Sequence, residues 1–467
     1  MASLCILLIG LYGHVYLLLK PSGIVIGRHR FLLAFWLVIV FLGILLAGRI
    51  RYPEKVTRIL NPISLLLLMF PMITILAVTI RSRIVDQDQP ISVRTESRLK
   101  WISEEESPPD IYYIILDAYA RQDVLQNRFG FDNSDFIESL RARGFYIAQD
   151  SRSNYLSTKL SLSSSLNMDY LEEPEGLRSE RDEKFTMLIH ENEVRKQLEE
   201  IGYSMVSTTS SYPFTELTDA DYYLVPNMAN IEALQARGLF NDFESMLIHQ
   251  SIAFALLDLN TLRNTSVSSF INNRLKNAKE MRREIVLAGF EHLERIHDIP
   301  EPTFAFIHII SPHHPYLFGP NGEEVEGGGP ATLVEKEVIP GTESWAGYRD
   351  QMLYINDRVL EAVDVIVESS DSDPVIILQS DHGPRTELVW RDPQEPFVSD
   401  RSGILNAYYL PGECVDQLYD SISPVNSFRV VFNCVFNGSL PRLDDQTFID
   451  WESWTRIEFH SIEEFIP

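Results

Sequence analysis

Three long uncharged runs near the N-terminus constrain the fold of this chain more than any other feature. They cover residues 2–19, 31–48 and 60–80. At ~1.5 Å rise per residue, an apolar helix of this length crosses a hydrocarbon core ~30 Å thick. A signal peptide is the alternative for the first run, but that run lacks a basic start and a small-residue cleavage site. We therefore predict a transmembrane anchor of three helices within residues 1–83.

The anchor and the rest of the chain differ in charge. Residues 1–83 hold nine Lys/Arg and one acid, a charge of +8, so from a total of −26 the other 384 residues carry −34. Nucleic-acid binding needs clustered Lys and Arg, and no nucleic-acid partner is expected. A hydrophobic content of 45% is enough for packed cores and argues against a disordered chain.

Basic residues also bear on the orientation of the anchor. The loop at 49–58 has four Lys/Arg and the loop at 20–30 has three. Cytoplasmic loops carry the excess of these residues, which favours an integral plasma-membrane protein with an extracytoplasmic domain. Three arginines after the third run favour the opposite orientation: Arg81, Arg83 and Arg94.

The soluble part reads as an α/β domain. Short apolar runs at 109–117, 303–310 and 374–379 predict strands that are covered on both faces. Apolar residues at helical spacing follow residue 345, and residues 318–345 have the composition of a long loop. Strand, helix and strand in this order predict a mostly parallel sheet sandwiched by helices. We assign residues 84–106 to a linker, 107–412 to the catalytic domain and 413–467 to a C-terminal subdomain.

Polar residues suited to metal binding follow each predicted strand. Asp117 ends the first, residues 311–315 (Ser-Pro-His-His-Pro) follow the second, and Asp381 with His382 follows the third. In open α/β sheets, ligands bind outside the carboxyl ends of the strands, so these segments are expected to converge. Two carboxylates beside imidazoles predict a divalent cation.

A fourth segment suits the same place. Thr158 stands where a helix is expected to begin, and a hydroxyl there can serve as a nucleophile if a metal lowers its pKa. The helix start also attracts a phosphate or a sulfate. The alternative is an ordinary N-cap, the most frequent role of Ser and Thr at this position.

Together these residues resemble a known family. Asp117, the stretch at 154–168 (NYLSTKLSLSSSLNM), His308 with Pro312 and His313, and the Asp-His-Gly at 381–383 stand in the order found in the alkaline phosphatase superfamily. The chain resembles its membrane-anchored sulfatase-like branch, to which lipoteichoic acid synthases and phosphoethanolamine transferases are related. The resemblance covers roughly residues 107–412 and implies an alkaline-phosphatase-like fold.

The resemblance implies a role for each matching residue. One divalent ion, Zn²⁺ or Mn²⁺, would be held by four ligands: Asp117, Thr158, Asp381 and His382. Thr158 would also be the nucleophile, and His308 and His313 would bind substrate and transfer protons. Arg385 would contact the anion, with an exposed surface arginine as the alternative.

Some residues depart from the family pattern. Ala118 replaces a common glycine, His314 stands where proline is usual, and Lys159 has either an anion-binding or a solvent-exposed role. The formylglycine motif [CS]-x-P-x-R of sulfatases is absent. Cys414 and Cys434 are the only cysteines beyond the anchor, and either a disulfide or two thiols fits them.

The predicted function is therefore a membrane-anchored hydrolase or transferase. Its expected substrate is a phosphate-type ester of a lipid-linked or glycan component of the cell envelope. One alternative is hydrolysis of a sulfate ester of an envelope or polysaccharide substrate. The other is a non-catalytic binding module.

Overall fold

A computed structural model describes most of the chain beyond the anchor. The described residues are 29–49, 58, 99, 108–176, 178–226, 266–325, 337–370, 372–386, 395–452 and 456–464. The chain divides into two compact units, Met1–Ile91 with Ala236–Ala278 and Ser92–Gln235 with Lys279–Pro467. The candidate site lies in the second unit, which contains the sheet.

A seven-stranded sheet organises this unit, and its strand order is β2-β7-β6-β1-β5-β3-β4. In chain order the strands are β1 (Ile111–Leu116), β2 (Tyr146–Ile147), β3 (Ser204–Thr208), β4 (Tyr222–Leu224), β5 (Thr303–Ile309), β6 (Val375–Gln379) and β7 (Asn406–Tyr409). The pairs β6-β1, β1-β5, β5-β3 and β3-β4 are parallel, whereas β7 pairs antiparallel with β6 and with β2. The predicted mostly parallel sheet is confirmed.

The helices of the described residues are α1 (His29–Gly48), α2 (Gln122–Phe129), α3 (Ser134–Ala142), α4 (Thr158–Asn167), α5 (Arg178–His190), α6 (Glu193–Glu200), α7 (Ser266–Leu293), α8 (Glu343–Ser369), α9 (Glu395–Ser402) and α10 (Pro424–Val435). A separate hairpin pairs β8 (Phe448–Glu452) with β9 (Ile457–Ser461).

The central strand β1 shows why the sheet is covered on both faces. Successive side chains of a strand point to opposite faces. Tyr112, Ile114 and Leu116 pack in a core with α2, α3 and α8. Ile111, Tyr113 and Ile115 pack in a second core with α4 and α10. Every residue of β1 is buried, which explains its continuous apolar sequence.

The three predicted strands are β1, β5 and β6, each within two residues of its predicted start and one of its predicted end. The predicted helix is α8, with Met352, Ile355 and Val359 buried at helical spacing. Of the predicted loop at 318–345, residues 326–336 lie outside the described residues, and α8 begins at Glu343. The sequence interpretation did not predict β2, β3, β4 or β7, which are short.

Two of the three predicted spans, at 2–19 and 60–80, lie outside the described residues. Helix α1 covers the remaining one, at 31–48. Among the residues that the structure describes, no helix meets the combined length and apolarity expected of a membrane span.

The C-terminal segment packs against the sheet domain. Phe428 and Val431 of α10 lie in the same core as Ile115 of β1, and Tyr155, near the start of α4, stacks on Phe448 of β8. The boundary predicted at residue 413 stays a prediction. Cys414 and Cys434 are joined in a disulfide, with 5.6 Å between their Cα atoms.

Loss of this disulfide is expected to lower stability and leave activity unchanged. In the loop-entropy model, closing a loop of 20 residues contributes ~3 kcal/mol to the free energy of unfolding. The double variant Cys414→Ser/Cys434→Ser should lose about that amount in urea denaturation. Reductant should have the same effect on the wild type and none on the variant. Equal stability of the two proteins would contradict this prediction.

Candidate active site

The candidate site lies where three adjacent parallel strands end. Strand β1 lies between β5 and β6, so the residues that follow the three strands meet at one edge of the sheet. Asp117 follows β1, His308 is the penultimate residue of β5, and Asp381 comes two residues after β6. The structure brings these segments together at the edge of the sheet, as predicted.

The turn after Asp117 is held by main-chain and side-chain contacts. Ala118 has φ 64°, a left-handed conformation that glycine adopts more readily, which gives a reason for the glycine expected there. Tyr348 of α8 donates its hydroxyl to the Ala118 carbonyl at 2.8 Å and accepts from the Ala120 N–H at 3.1 Å. Burial raises the pKa of Tyr348 well above 10, so the hydroxyl stays protonated.

Asp381 presents one oxygen to the protein and the other to the site. Its Oδ1 accepts hydrogen bonds from the N–H groups of Ala118 (3.2 Å) and His382 (3.0 Å). Its Oδ2 is buried, has no hydrogen-bond partner, and lies 3.3 Å from His382 Nε2. A buried carboxylate oxygen without a donor is costly unless a cation compensates it.

The tautomer of His382 follows from its backbone contact. Its Nδ1 lies 3.0 Å from the Gly383 carbonyl oxygen, which can only accept, so Nδ1 carries a proton. In the neutral ring, Nε2 then presents a lone pair. The Thr158 hydroxyl lies 3.1 Å from Nε2 and donates to it. A histidine fixed in this way is suited to ligate a metal through Nε2.

Thr158 is the first residue of α4, and its hydroxyl does not act as a cap. The N-cap is Ser157, whose side chain makes no capping hydrogen bond. Thr158 is buried, and its hydroxyl is directed at His382. The N-cap interpretation of Thr158 is therefore wrong, because a neighbour takes that position.

His308 and His313 face the same site from β5 and the loop that follows it. His308 Nε2 lies 3.5 Å from Asp117 Oδ2, while its Nδ1 lies 2.9 Å from the Thr215 hydroxyl. His313 Nδ1 donates to the His314 carbonyl at 2.5 Å, which leaves its Nε2 to exchange a proton with a bound ligand. The His313 and His382 rings are 6.5 Å apart between centroids.

The donor set fits a divalent cation. Among the described residues, three buried atoms of the site lack hydrogen-bond partners: Asp117 Oδ1, Asp381 Oδ2 and His308 Nε2. Asp117, His308 and Asp381 each offer a ligand atom within 4.8 Å of the others. His382 Nε2 lies 3.1, 3.3 and 3.8 Å from Thr158 Oγ1, Asp381 Oδ2 and Asp117 Oδ1. Ligands of a tetrahedral zinc are ~3.3–3.6 Å apart at normal bond lengths, so these spacings suit an ion.

The charge state of Asp117 agrees with this arrangement. Burial alone would raise the pKa of its carboxyl, but His313, His308 and His382 more than offset that effect and hold the pKa well below its usual range. Asp117 is therefore ionised and available as a ligand at neutral pH.

Three other residues singled out in the sequence have different surroundings. Lys159 Nζ pairs with Asp182 Oδ1 at 2.6 Å and is mostly buried, so the solvent-exposed alternative is wrong, and the anion-binding role stays a prediction. Arg385 is half-buried, its carbonyl accepts from the Val338 N–H, and its substrate role stays a prediction. His314 is buried and packs edge-on against Tyr316.

Sequence interpretation missed three residues that support the site: Thr215, Tyr348 and Arg401. Arg401 of α9 is buried, and its Nη2 lies 3.3 Å from His382 Nε2. No motif marks it, because it lies 19 positions after His382 with no periodic pattern between them. The glycine at 383 is the one available signal, since a Cβ there would lie 2.3 Å from the Asp400 carbonyl oxygen.

Comparisons with known proteins give structural matches only. No family model matches the chain, and no curated protein matches it. The periplasmic domain of EptC from Escherichia coli, in complex with Zn, is 11% identical with a TM-score of 0.45, over 75% of this chain and 88% of that one. The integral membrane protein lipooligosaccharide phosphoethanolamine transferase A from Neisseria meningitidis is 15% identical with a TM-score of 0.42, over 87% and 69%.

A 2-O GAG sulfatase is also similar, at 10% identity and a TM-score of 0.42, over 77% of this chain and 86% of that one. Phosphoethanolamine transferases and sulfatases are the kinds of protein that the sequence motifs resemble. These matches concern the fold, and the functional proposal rests on the residues of the site.

Proposed function

We propose that the chain is a metal-dependent enzyme that transfers or hydrolyses a phosphate-type ester through Thr158. The observation that carries this proposal is the position of the Thr158 hydroxyl. It lies at the start of α4, 3.1 Å from His382 Nε2, and that nitrogen is 3.3 Å from Asp381 Oδ2 and 3.8 Å from Asp117 Oδ1, two oxygens that lack hydrogen-bond partners. A nucleophile, metal-competent donors and a helix N-terminus that attracts anions are thus assembled at one place.

A threonine nucleophile favours phosphoryl over sulfuryl chemistry in this chain. A sulfatase of the usual kind needs a formylglycine made from Cys or Ser within [CS]-x-P-x-R, and the sequence has no such motif. Cys414 and Cys434 are joined to each other. The hydroxyl directed at His382 is that of Thr158, which makes it the proposed nucleophile.

A divalent cation held by Asp117, Thr158, Asp381 and His382 would lower the pKa of the Thr158 hydroxyl, so that its proton is lost to solvent, and would offset the charge of the transferred group. The residues themselves supply orientation. Asp381 is fixed by two N–H donors and His382 by the Gly383 carbonyl, so both present a defined atom to the site.

The group transfer then has two steps. In the first step His313 starts as an imidazolium with protons on both nitrogens: Thr158 Oγ1 forms a bond to phosphorus while the bond from phosphorus to the donor oxygen breaks, and the departing oxygen takes the proton of His313 Nε2. The oxygen of an acceptor alcohol or water next bonds to phosphorus and gives its proton to His313 Nε2, while the bond between Thr158 Oγ1 and phosphorus breaks and its electron pair returns to Oγ1, which restores the deprotonated Thr158. His313 suits this role because its Nδ1 is occupied by the His314 carbonyl.

The substrate and location complete the proposal. The uncharged runs in residues 1–83 support a membrane anchor, and large apolar side chains of α1 such as Phe35, Leu37 and Phe41 are more than half exposed. The disulfide supports an extracytoplasmic location, since such bonds persist in oxidising compartments. We propose that the enzyme acts on a lipid-linked or glycan ester of the cell envelope.

An assay of matched esters tests the reaction class. The purified full chain, loaded with Zn²⁺ or Mn²⁺, is expected to turn over an aryl phosphate ester at least ~100-fold faster than the matching aryl sulfate, because Thr158 lacks the formylglycine chemistry of sulfatases. Faster sulfate hydrolysis would favour the sulfatase alternative. A protein that binds no ion and turns over neither ester would be a binding module.

A further inference from the structure

Arg401 is a buried arginine that no motif of the sequence marks. It lies near the end of α9. Its Nε donates to the Leu156 carbonyl at 2.9 Å, and its Nη1 donates to the Gly383 carbonyl at 3.0 Å. Two of its three nitrogens are thus fixed by main-chain acceptors, so the direction of the third is fixed as well.

The two carbonyls belong to the segments that carry the reactive side chains. Leu156 comes two residues before Thr158, and Gly383 follows His382 directly. The close approach of α9 to the second segment depends on Gly383, where a Cβ would lie 2.3 Å from the Asp400 carbonyl oxygen. Arg401 therefore reaches the site from a helix that contributes no other residue to it among those described above.

The remaining nitrogen of Arg401 points into the site. Its Nη2 lies 3.3 Å from His382 Nε2, which is also 3.1 Å from the Thr158 hydroxyl. Because Nδ1 of His382 holds the ring proton, Nε2 offers a single lone pair to both donors. That lone pair cannot serve the hydroxyl, the guanidinium and a cation at once. An oxygen of a group attached to Thr158 would give Nη2 a charged acceptor instead.

Charge in the site makes such a contact useful. Asp117 and Asp381 each place a carboxylate oxygen within 3.8 Å of His382 Nε2, and an anionic substrate adds more negative charge. Lys159, the residue after the nucleophile, is neutralised by Asp182. The guanidinium of Arg401 is held by two carbonyls with Nη2 3.3 Å from His382 Nε2, and donors fixed in advance in this way stabilise developing anions.

We propose that Arg401 contacts the substrate by donating Nη2–H to a non-bridging oxygen of the anionic group that reacts at Thr158. This inference rests on the proposed function and adds a substrate-binding residue to it. Leu156 and Gly383 act through their carbonyls as positioning groups for the guanidinium.

Binding of inorganic phosphate to the ion-loaded full chain tests the contact, with calorimetry as the readout. Arg401→Gln is expected to weaken phosphate binding about 10- to 100-fold, the range for losing a charge-assisted hydrogen bond, while the bound ion is retained. Arg401→Lys is measured alongside in case the glutamine variant does not fold. One ammonium group cannot contact two carbonyls and the anion together, so its affinity should fall by about tenfold as well.

Arg429 of α10 provides the matched control. It is equally buried and is held by two carbonyls, with Nε donating to Met168 at 2.8 Å and Nη1 to Pro441 at 2.6 Å. Arg429→Gln should cost similar folding stability and leave phosphate affinity unchanged. A matching loss of affinity in this variant would overturn the proposal, because the effect would then be general.

The outcomes separate this inference from the proposed function. If a folded Arg401 variant keeps wild-type phosphate affinity while the wild type turns over phosphate esters, only the contact is overturned. If Arg401→Gln releases the ion together with phosphate, Arg401 supports His382 and does not contact the anion. If the wild type neither binds phosphate nor turns over an ester, the proposed function itself fails.

Discussion

Replacing Thr158 with alanine is expected to abolish ester turnover and to leave the fold intact. The hydroxyl is the proposed nucleophile, and enzymes that lose a covalent nucleophile typically lose at least ~10⁴-fold in kcat. Only one hydrogen bond, to His382 Nε2, is lost from the protein, so the stability cost should be ~1 kcal/mol. Steady-state kinetics and thermal unfolding of the same preparation measure both quantities.

Two further variants sharpen this test. Thr158→Ser keeps the oxygen and should retain turnover within about 10- to 100-fold, because only packing and rotamer preference change. Ser164→Ala removes another buried hydroxyl of α4. This hydroxyl donates to the Asp169 carbonyl, with 2.7 Å between the two oxygens, and does not contact His382. It should cost stability and leave kcat unchanged. Full activity in Thr158→Ala would rule out the covalent mechanism.

Replacing Asp381 with asparagine is expected to raise the stability of the ion-free protein. When a divalent ion is added, the variant should instead be less stable than the wild type. In the ion-free protein, Asp381 Oδ2 is a buried anionic oxygen without a hydrogen-bond partner. An asparagine carbonyl can accept from the same two N–H groups, and the substitution replaces the anionic oxygen that has no hydrogen-bond partner with a neutral amide group. The ion-free variant should therefore be more stable than the wild type by ~1–3 kcal/mol.

With the ion present the order should change. Binding to the folded state adds RT ln(1 + [L]/Kd), which is ~2.7 kcal/mol at 100 Kd, and the variant lacks one anionic ligand. Melting temperatures measured in chelator and in excess Zn²⁺ or Mn²⁺ should thus cross between the two proteins. Asp110→Asn is the control. Asp110 directly precedes β1, at the opposite end of that strand from Asp117, and its carboxylate accepts a hydrogen bond from the Thr303 N–H. If the ion stabilised the wild type and Asp381→Asn equally, the ion would not be bound by Asp381.

Local sequence signals explain why so much of the fold could be predicted. Strands β1, β5 and β6 are buried on both faces, and a strand in that position must be apolar throughout, which the sequence displays directly. Helix α8 is long and packs one side against the sheet, so its apolar residues recur at helical spacing. Strands β3, β4 and β7 have three to five residues each and gave no comparable signal.

Some residues of the candidate site could likewise be predicted from local sequence, whereas others could not. Asp117, Asp381 and His382 follow strands, so a chain order of strand and polar residue was enough to predict them. Thr215 and Arg401 reach the site through contacts with residues 93 and 19 positions away, and no local pattern encodes such contacts. Lys159 lies next to the proposed nucleophile in sequence but points to Asp182, because consecutive residues of a helix face different directions.

The sequence alone determined that this chain has an α/β domain with carboxylates and imidazoles after its strands, since strand burial and residue chemistry are local properties. Tertiary structure alone decided that β1 lies between β5 and β6, which brings Asp117 and Asp381 together. It also decided that Thr158 faces His382 while Ser157 takes the cap, and that Arg401 enters the site from α9. These facts depend on strand order and helix packing, which are set by contacts between distant segments.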